Sequence, residues 1–392
     1  MVIGVRGPSL FIGQHSMDAK LDDVETRLAD VERLRPLMSP TNAGVSATDA
    51  GAAFHAVQAP RSRGAKLTNI AFPEHPVATR FARPWQDQQK TIGTFPAPRN
   101  AGLDAVVASD VVMRATSGFS AEEMVYLRSV AEAPIWREVE RAVSAPQVDL
   151  VGGQFVLPFR EDAFAPAMPV HRFVDTKSLA YAGVSRAAYY VALGETARAE
   201  SALRTIVSLG FMFIDNGTNS IDALIGRVVV DVGRIGLHQL YEATGNRQGL
   251  ALAAPLPKRA VSGAKPARST ATADKVRQRI VGQTSDPQLP RALRYERLNQ
   301  LGVTSCGSVR EVLFGTRGDV RDAFDRADRS LARFPSERAL VELMRDGPSR
   351  EPPWSGTRSG ADMLIAGAAS VAATVLQQPR IATCTQLSLA IE

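Results

Sequence analysis

Apolar residues recur at helical spacing through the middle third of this 392-residue chain. A first stripe runs to a break at Gly194, and a second stripe follows at once and ends at Gly210. Because the connection between them is so short, the two stripes must face each other, which predicts an αα-hairpin. The stripe positions are Phe173, Val184, Ala188 and Val191 in the first helix and Ala199, Ala202, Leu203, Ile206 and Val207 in the second.

A third helix is predicted from Asn219 to Thr244, with Gly245 as its stop. The valine-rich sequence "IGRVVVDVG" inside it leaves a β-strand as the alternative, but the length of the segment favours a helix. The stripe that we expect to face the core consists of Ile221, Leu224, Ile225, Val228, Val232, Ile235 and Leu240.

An amphipathic helix is predicted for residues 16–35, with Ser16 as a candidate cap and Pro36 closing it. Its apolar residues alternate at spacings of three and four, as in the seam of a coiled coil. Two interpretations remain open, because a helix of two heptads is marginal alone in water. The helix either docks on its own protein or pairs with a second copy through the candidate partner seam of Leu21, Val24, Leu28 and Val31.

The remaining pattern predicts an all-α fold divided by flexible segments. Ser120 and Glu123 have the spacing of a capping box, which predicts a helix start. Residues 148–159 allow a short strand or an extended connector. The predicted division is a mostly flexible region 1–116, a helical-hairpin domain 117–248, a basic linker 249–273, a small helical block 274–347, and a linker with a small-residue segment at 348–392.

The hairpin resembles one unit of the tetratricopeptide repeat over residues 180–210. Tyr190, Gly194, Ala199 and Leu203 stand in the order and spacing of that repeat's turn and second helix. Gly194 permits a tight turn, and Ala199 lets two helix backbones approach closely. The resemblance implies a helical-hairpin scaffold of the kind that this family uses for protein interaction.

Charge adds a second functional hypothesis. The formal net charge is +6, and residues 258–297 carry ten basic side chains against three acidic ones. The following segment, 297–315, resembles a helix-turn-helix, so a nucleic-acid-binding protein using residues 258–313 is an alternative. The candidate basic patch is Lys258, Arg259, Lys265, Arg268, Lys275, Arg277, Arg279, Arg291 and Arg294.

The sequence predicts no catalytic residue, metal site or cofactor. It contains no glycine-rich phosphate loop and no nucleophile elbow, and its two cysteines and five histidines share no ligand spacing. The group Asp215, Asn216, Asn219 and Asp222 lacks the calcium-loop pattern, so a turn and a helix cap are the expected roles.

These patterns together predict a non-enzymatic scaffold that binds an unidentified protein partner. The expected contact surface is the groove between the hairpins or the seam in residues 16–35. The opening residues lack the apolar core of a signal peptide, so we expect a cytoplasmic protein. A third alternative is an accessory of a membrane assembly, which would make contact through the small-residue segment 361–378.

Overall fold

The computed structural model describes residues 22–58, 111–133, 135–154, 173–257, 281–303 and 317–346, together with residues 157 and 278. Within these ranges 78% of residues are helical and none forms a strand, which confirms the all-α prediction. The helices are α1 (22–32), α2 (Ala47–Gln58), α3 (Val111–Ser117), α4 (Ala121–Ala131), α5 (Ile135–Ser144), α6 (Leu150–Gln154), α7 (Phe173–Ala192), α8 (Thr196–Asn216), α9 (Ser220–Thr244), α10 (Arg247–Leu252), α11 (Arg291–Val303), α12 (Arg317–Leu331) and α13 (Pro335–Asp346).

Local capping signals place the helix ends where the sequence predicts them. The Ser120 hydroxyl accepts from the backbone N–H of Glu123, whose carboxylate accepts from the Ser120 N–H, so the capping box at α4 is complete. At α9, the Asn219 side chain accepts from the N–H of Asp222, and Gly245 ends the helix in the left-handed conformation. Both predictions are confirmed because the signals act within a few residues.

Helix α8 continues six residues beyond its predicted end at Gly210 and stops at Asn216. Gly210 lies inside the helix because it faces Gly226 of α9, where the two backbones meet too closely for a side chain. The prediction read this glycine as a stop signal, whereas the structure uses it for helix packing.

Helix α9 buries Leu240 as predicted, but the rest of its buried face differs from the predicted one. Its buried residues include a line of glycines and their neighbours, whereas Val228 is 37% exposed and Ile221 and Ile235 are half-buried. The predicted face was chosen from large apolar residues alone. The glycines of α9 are buried as well, because small residues allow α8 and α9 to pack closely along their length. The buried apolar and glycine positions are Ala223, Gly226, Val229, Val230, Gly233, Gly236, Leu237, Leu240 and Tyr241.

Residues 39–58 are part of the fold, so the expected flexible region is wrong over this range. Helix α2 buries Ala50, Ala53 and Phe54 against α5 and α6. The Phe54 ring lies edge-on to Phe213 of α8, with ring centroids 5.1 Å apart. Five of the twelve residues of α2 are alanine, which favours helix without giving a strong apolar stripe.

The residues expected to form a strand or connector at 148–159 begin instead with the short helix α6, Leu150–Gln154. Two apolar clusters fill the interior, one on each side of α8 and α9. The block α11–α13 packs on this framework through contacts of α11 with α8 and α9 and of α13 with α6. The predicted hairpin domain and small helical block are therefore in direct contact.

Candidate functional site

The predicted hairpin is formed by α7 and α8, and its turn depends on Gly194. This residue has a backbone φ of +75°, a conformation that residues with a Cβ rarely adopt. The N–H of Glu195 donates to the carbonyl of Tyr190 and closes the turn. Ala199 and Leu203 are buried in the apolar cluster that also contains Tyr190. All four positions that carry the repeat resemblance are thus brought together by one hairpin.

Tyr190 lies between two arginines. The guanidinium carbon of Arg198 is 4.2 Å from the centroid of its ring, and that of Arg186 is 5.7 Å away. Arg198 also donates to the Tyr190 hydroxyl, and Arg186 forms an ion pair with Glu140 of α5. The cation–π contacts stabilise the hairpin, and the Arg186–Glu140 ion pair connects the hairpin to α5.

The candidate partner seam is covered by the rest of the chain. Val24, Leu28 and Val31 are buried in the same apolar cluster as the inner faces of α8 and α9. In the structure these three side chains are buried within their own chain. Leu21, the first seam position, lies outside the described residues.

The stretch after α1 is fixed to α8 by polar contacts. We call residues 22–39 the docking segment, and the side chains of Arg204, Ser208, Phe211 and Asp215 on α8 the receiving face. The Arg35 guanidinium donates to both carboxylate oxygens of Asp215 at 2.8 Å and lies 4.6 Å from the centre of the Phe211 ring. Hydrogen bonding to Asp215 raises the pKa of Arg35 above its ordinary value.

Backbone groups of the docking segment are also paired. Arg204 donates to the carbonyls of Pro36 and Met38, at 3.2 and 3.3 Å, and the Ser208 hydroxyl accepts from the Ser39 N–H at 2.8 Å. Arg204 and Ser208 are four positions apart on α8, and Asp215 follows Ser208 by seven. Residues at these spacings share one face of a helix. No local pattern in the sequence predicts the receiving face, because its polar residues bind a segment that lies far away along the chain.

Glu200 and Tyr241 connect α8 to α9 beside the receiving face. The Tyr241 hydroxyl donates to Glu200 at 2.8 Å, and Arg204 pairs with the same carboxylate at 2.9 Å. Burial, followed by the bond to Glu200, raises the pKa of Tyr241 to about 12. The phenol therefore stays protonated at neutral pH and acts as a hydrogen-bond donor.

Two arginines of the candidate basic patch, Arg291 and Arg294, lie in α11 together with Arg297, and the side chains of Arg291 and Arg294 contact other helices of the block. Arg294 and Arg297 are buried, and Arg291 pairs with the buried Glu337 of α13 at 2.5 Å. Arg294 donates to the Ser330 hydroxyl of α12 at 2.6 Å. These side chains join helices of the same block. The other patch residues, Lys258, Arg259, Lys265, Arg268, Lys275, Arg277 and Arg279, lie outside the described residues, as does the second half of the helix-turn-helix-like segment.

Asn216, at the end of α8, connects the two helical blocks. Its side-chain oxygen accepts from the N–H of Val148 at 3.0 Å and from Arg333 at 2.9 Å. Its backbone carbonyl accepts from Arg291 at 2.8 Å. Three residues of the polar group at 215–222 therefore make structural contacts. Asp215 pairs with Arg35, Asn216 connects the two helical blocks, and Asn219 caps α9.

Two buried carboxylates complete the junction between the blocks. Glu296 of α11 accepts from the N–H and the hydroxyl of Ser220 at the start of α9, both at 3.1 Å. Asp149 accepts from the Ser336 hydroxyl of α13 at 2.6 Å and from the Gly152 N–H at 2.7 Å. Burial raises the pKa of Glu296, and the two bonds from Ser220 oppose that shift.

A line of apolar side chains remains on the outer face of α9. We call Ile221, Val228 and Ile235 the outer stripe. They stand seven residues apart, so they share one side of the helix. Val228 is 37% exposed, and Leu224, Ile225 and Val232 beside the stripe are only partly buried. These are the positions that the sequence predicted to face the core.

Within the described ranges, no helix combines the length and the apolar character needed to cross a membrane. The small-residue segment 361–378, for which membrane contact is an alternative, lies outside those ranges. Comparison of the chain with family models, with curated proteins and with solved structures finds no match.

Proposed function

We propose that this chain is a non-enzymatic scaffold that binds a protein partner through the outer stripe of α9. The observation that carries the proposal is the position of Ile221, Val228 and Ile235 on one side of the longest described helix, partly exposed to water. β-Branched residues pack well in helix–helix seams, and apolar side chains repeated every seven residues are typical of such seams.

The surroundings of the stripe support the same proposal. Arg227 comes directly before Val228 and Asp231 comes three residues after it, and both are half-buried, so polar side chains border the apolar line. An apolar centre with a polar rim is the common arrangement of protein interfaces. The hairpin framework also binds an amphipathic helix of its own chain, α1, which is the mode of recognition that we propose for the partner.

The experiment uses the purified full chain as bait in extracts of its source cells, followed by mass spectrometry. A partner that binds through the outer stripe is recovered at constant stoichiometry with the unaltered chain and is lost with Val228→Glu. Val125→Glu on α4 is the matched control, because Val125 is 71% exposed and lies on another helix.

Retention of the same partners by Val228→Glu would contradict the proposed surface. Turnover of a substrate by the pure chain would contradict the proposed class of function. Circular dichroism of both variants checks that the substitutions leave the helices intact.

A further inference from the structure

The ion pair between the docking segment and the receiving face can be reached by water. The side chains of Arg35 and Asp215 are 39% and 36% exposed, although they pair through two bonds of 2.8 Å. A partly exposed ion pair of this kind contributes little free energy, so it can break and form again readily. The apolar part of the docking segment, by contrast, is buried and requires a groove of matching shape.

The connection that follows the docking segment is an exposed loop. Residues 40–44 are all exposed, and Pro40 begins the loop. Among the residues that the structure describes, one hydrogen bond joins the loop to another element, from the Asn42 N–H to the Ser144 carbonyl at 2.6 Å. Beyond it, α2 is fixed by buried side chains such as Phe54. The loop can therefore change direction without disturbing the elements on either side.

We propose that the receiving face also accepts the docking segment of a second copy of this chain, so that two copies exchange residues 22–39. Every contact of the docking segment is then re-formed between chains, and no new interface chemistry is required. This mode differs from a coiled coil of two seams, because Val24, Leu28 and Val31 stay buried in the apolar cluster, now that of the other copy. It uses a different surface from the outer stripe and does not depend on the function proposed there.

Charge reversal tests the exchange directly. Arg35→Glu places an acidic group against Asp215, and Asp215→Arg places a basic group against Arg35, so each variant alone carries repulsion across the receiving face. When the two variants are mixed, each docking segment finds an opposite charge only on the other chain. Two restored pairs of modest strength correspond to about a tenfold excess of mixed dimer over either homodimer.

The measurement is native mass spectrometry of the two full-length variants, one of them isotopically labelled, after incubation at high concentration. The matched control is the pair Arg128→Glu and Glu132→Arg, which reverses an ion pair within α4 and restores nothing between chains. A mixture of Arg35→Glu and Asp215→Arg that remains monomeric, or forms no more mixed dimer than the control, overturns the proposal.

A second variant keeps the test decisive if charge reversal unfolds the docking segment. Deletion of residues 41–43 shortens the connection, which strains docking within one chain and leaves docking between chains possible. We expect the dimeric fraction to rise about tenfold at equal concentration. A monomer in which residues 22–39 lose hydrogen-exchange protection overturns the proposal, because the docking segment has then left its groove without exchange.

Discussion

A methyl group built on Gly210 would lie 2.5 Å from the carbonyl oxygen of Gly226, and one built on Gly226 would lie 2.5 Å from the carbonyl oxygen of Gly210. Helices α8 and α9 thus touch backbone to backbone at this crossing. Gly233 and Gly236 extend the close contact toward Leu203 and Val207. Such an approach is possible only where neither helix carries a side chain, so the glycines determine which face of α9 is buried.

Gly226→Ala is expected to destabilise the protein by about 1–3 kcal/mol, although alanine normally favours a helix over glycine. The added methyl meets the Gly210 carbonyl and the side chains of Ile214 and Phe213, and the backbones must separate. Chemical denaturation measures the change. Gly282→Ala is the control, because nothing lies within 4 Å of its Cβ position. A Gly226→Ala protein as stable as the unaltered chain would disprove the close crossing.

Gly194→Ala tests the hairpin turn through backbone conformation alone. Nothing lies within 4 Å of a Cβ at this position, but its φ of +75° is unfavourable for alanine. We expect a loss of about 1 kcal/mol for Gly194→Ala and a smaller loss for Gly194→Asn, since asparagine tolerates the left-handed region. Thermal unfolding followed by circular dichroism compares the two variants. Equal melting temperatures for all three proteins would contradict the turn geometry.

The ends of α9 can be predicted from the sequence, whereas its buried face cannot. The ends of α9 follow from Asn219 and Gly245, because capping acts between residues close in sequence. Its buried face does not follow from hydrophobicity, since the glycines matter only when α8 is opposite. The pairs Arg35–Asp215 and Asn216–Val148 join residues far apart along the chain, and no local pattern specifies them.

Glu296→Gln is expected to change how stability depends on pH. Burial raises the pKa of Glu296, which is bonded to Ser220 and lies near Arg297 and Asp222. A carboxyl with a raised pKa in the folded state holds its proton more tightly there. Its contribution is therefore full below the ordinary carboxyl pKa and is lost as pH rises through the raised value.

Glutamine keeps an oxygen that can accept from Ser220 and does not ionise. The melting temperature of Glu296→Gln should therefore rise relative to that of the unaltered chain as the pH increases from about 4 to about 8. Glu132→Gln, at an exposed position directly after α4, is the matched control. The opposite trend, with the unaltered chain gaining on Glu296→Gln as pH rises, would mean that Glu296 is stabilised in its charged form.

Ser336→Ala tests the junction between the helical blocks. The substitution removes one of two donors to the buried Asp149 carboxylate and is expected to cost about 1–3 kcal/mol. Because Asp149 precedes α6 and Ser336 lies in α13, hydrogen exchange should accelerate in both helices. Ser144→Ala, which removes only an exposed bond to Arg141 within α5, is the control. Unchanged protection of α6 would show that the blocks are not coupled through this bond.

The accessibility of two apolar positions distinguishes the side chains that the fold covers from those that it leaves for a partner. Val31 of the docking segment is buried, whereas Val228 of the outer stripe is 37% exposed. Val31→Cys and Val228→Cys are treated separately with an alkylating reagent, and modification at each position is followed by peptide mass spectrometry. We expect rapid modification at position 228 and modification at position 31 only when denaturant is added. Equal rates at the two positions in native buffer, or a faster rate at position 31, would contradict this expectation.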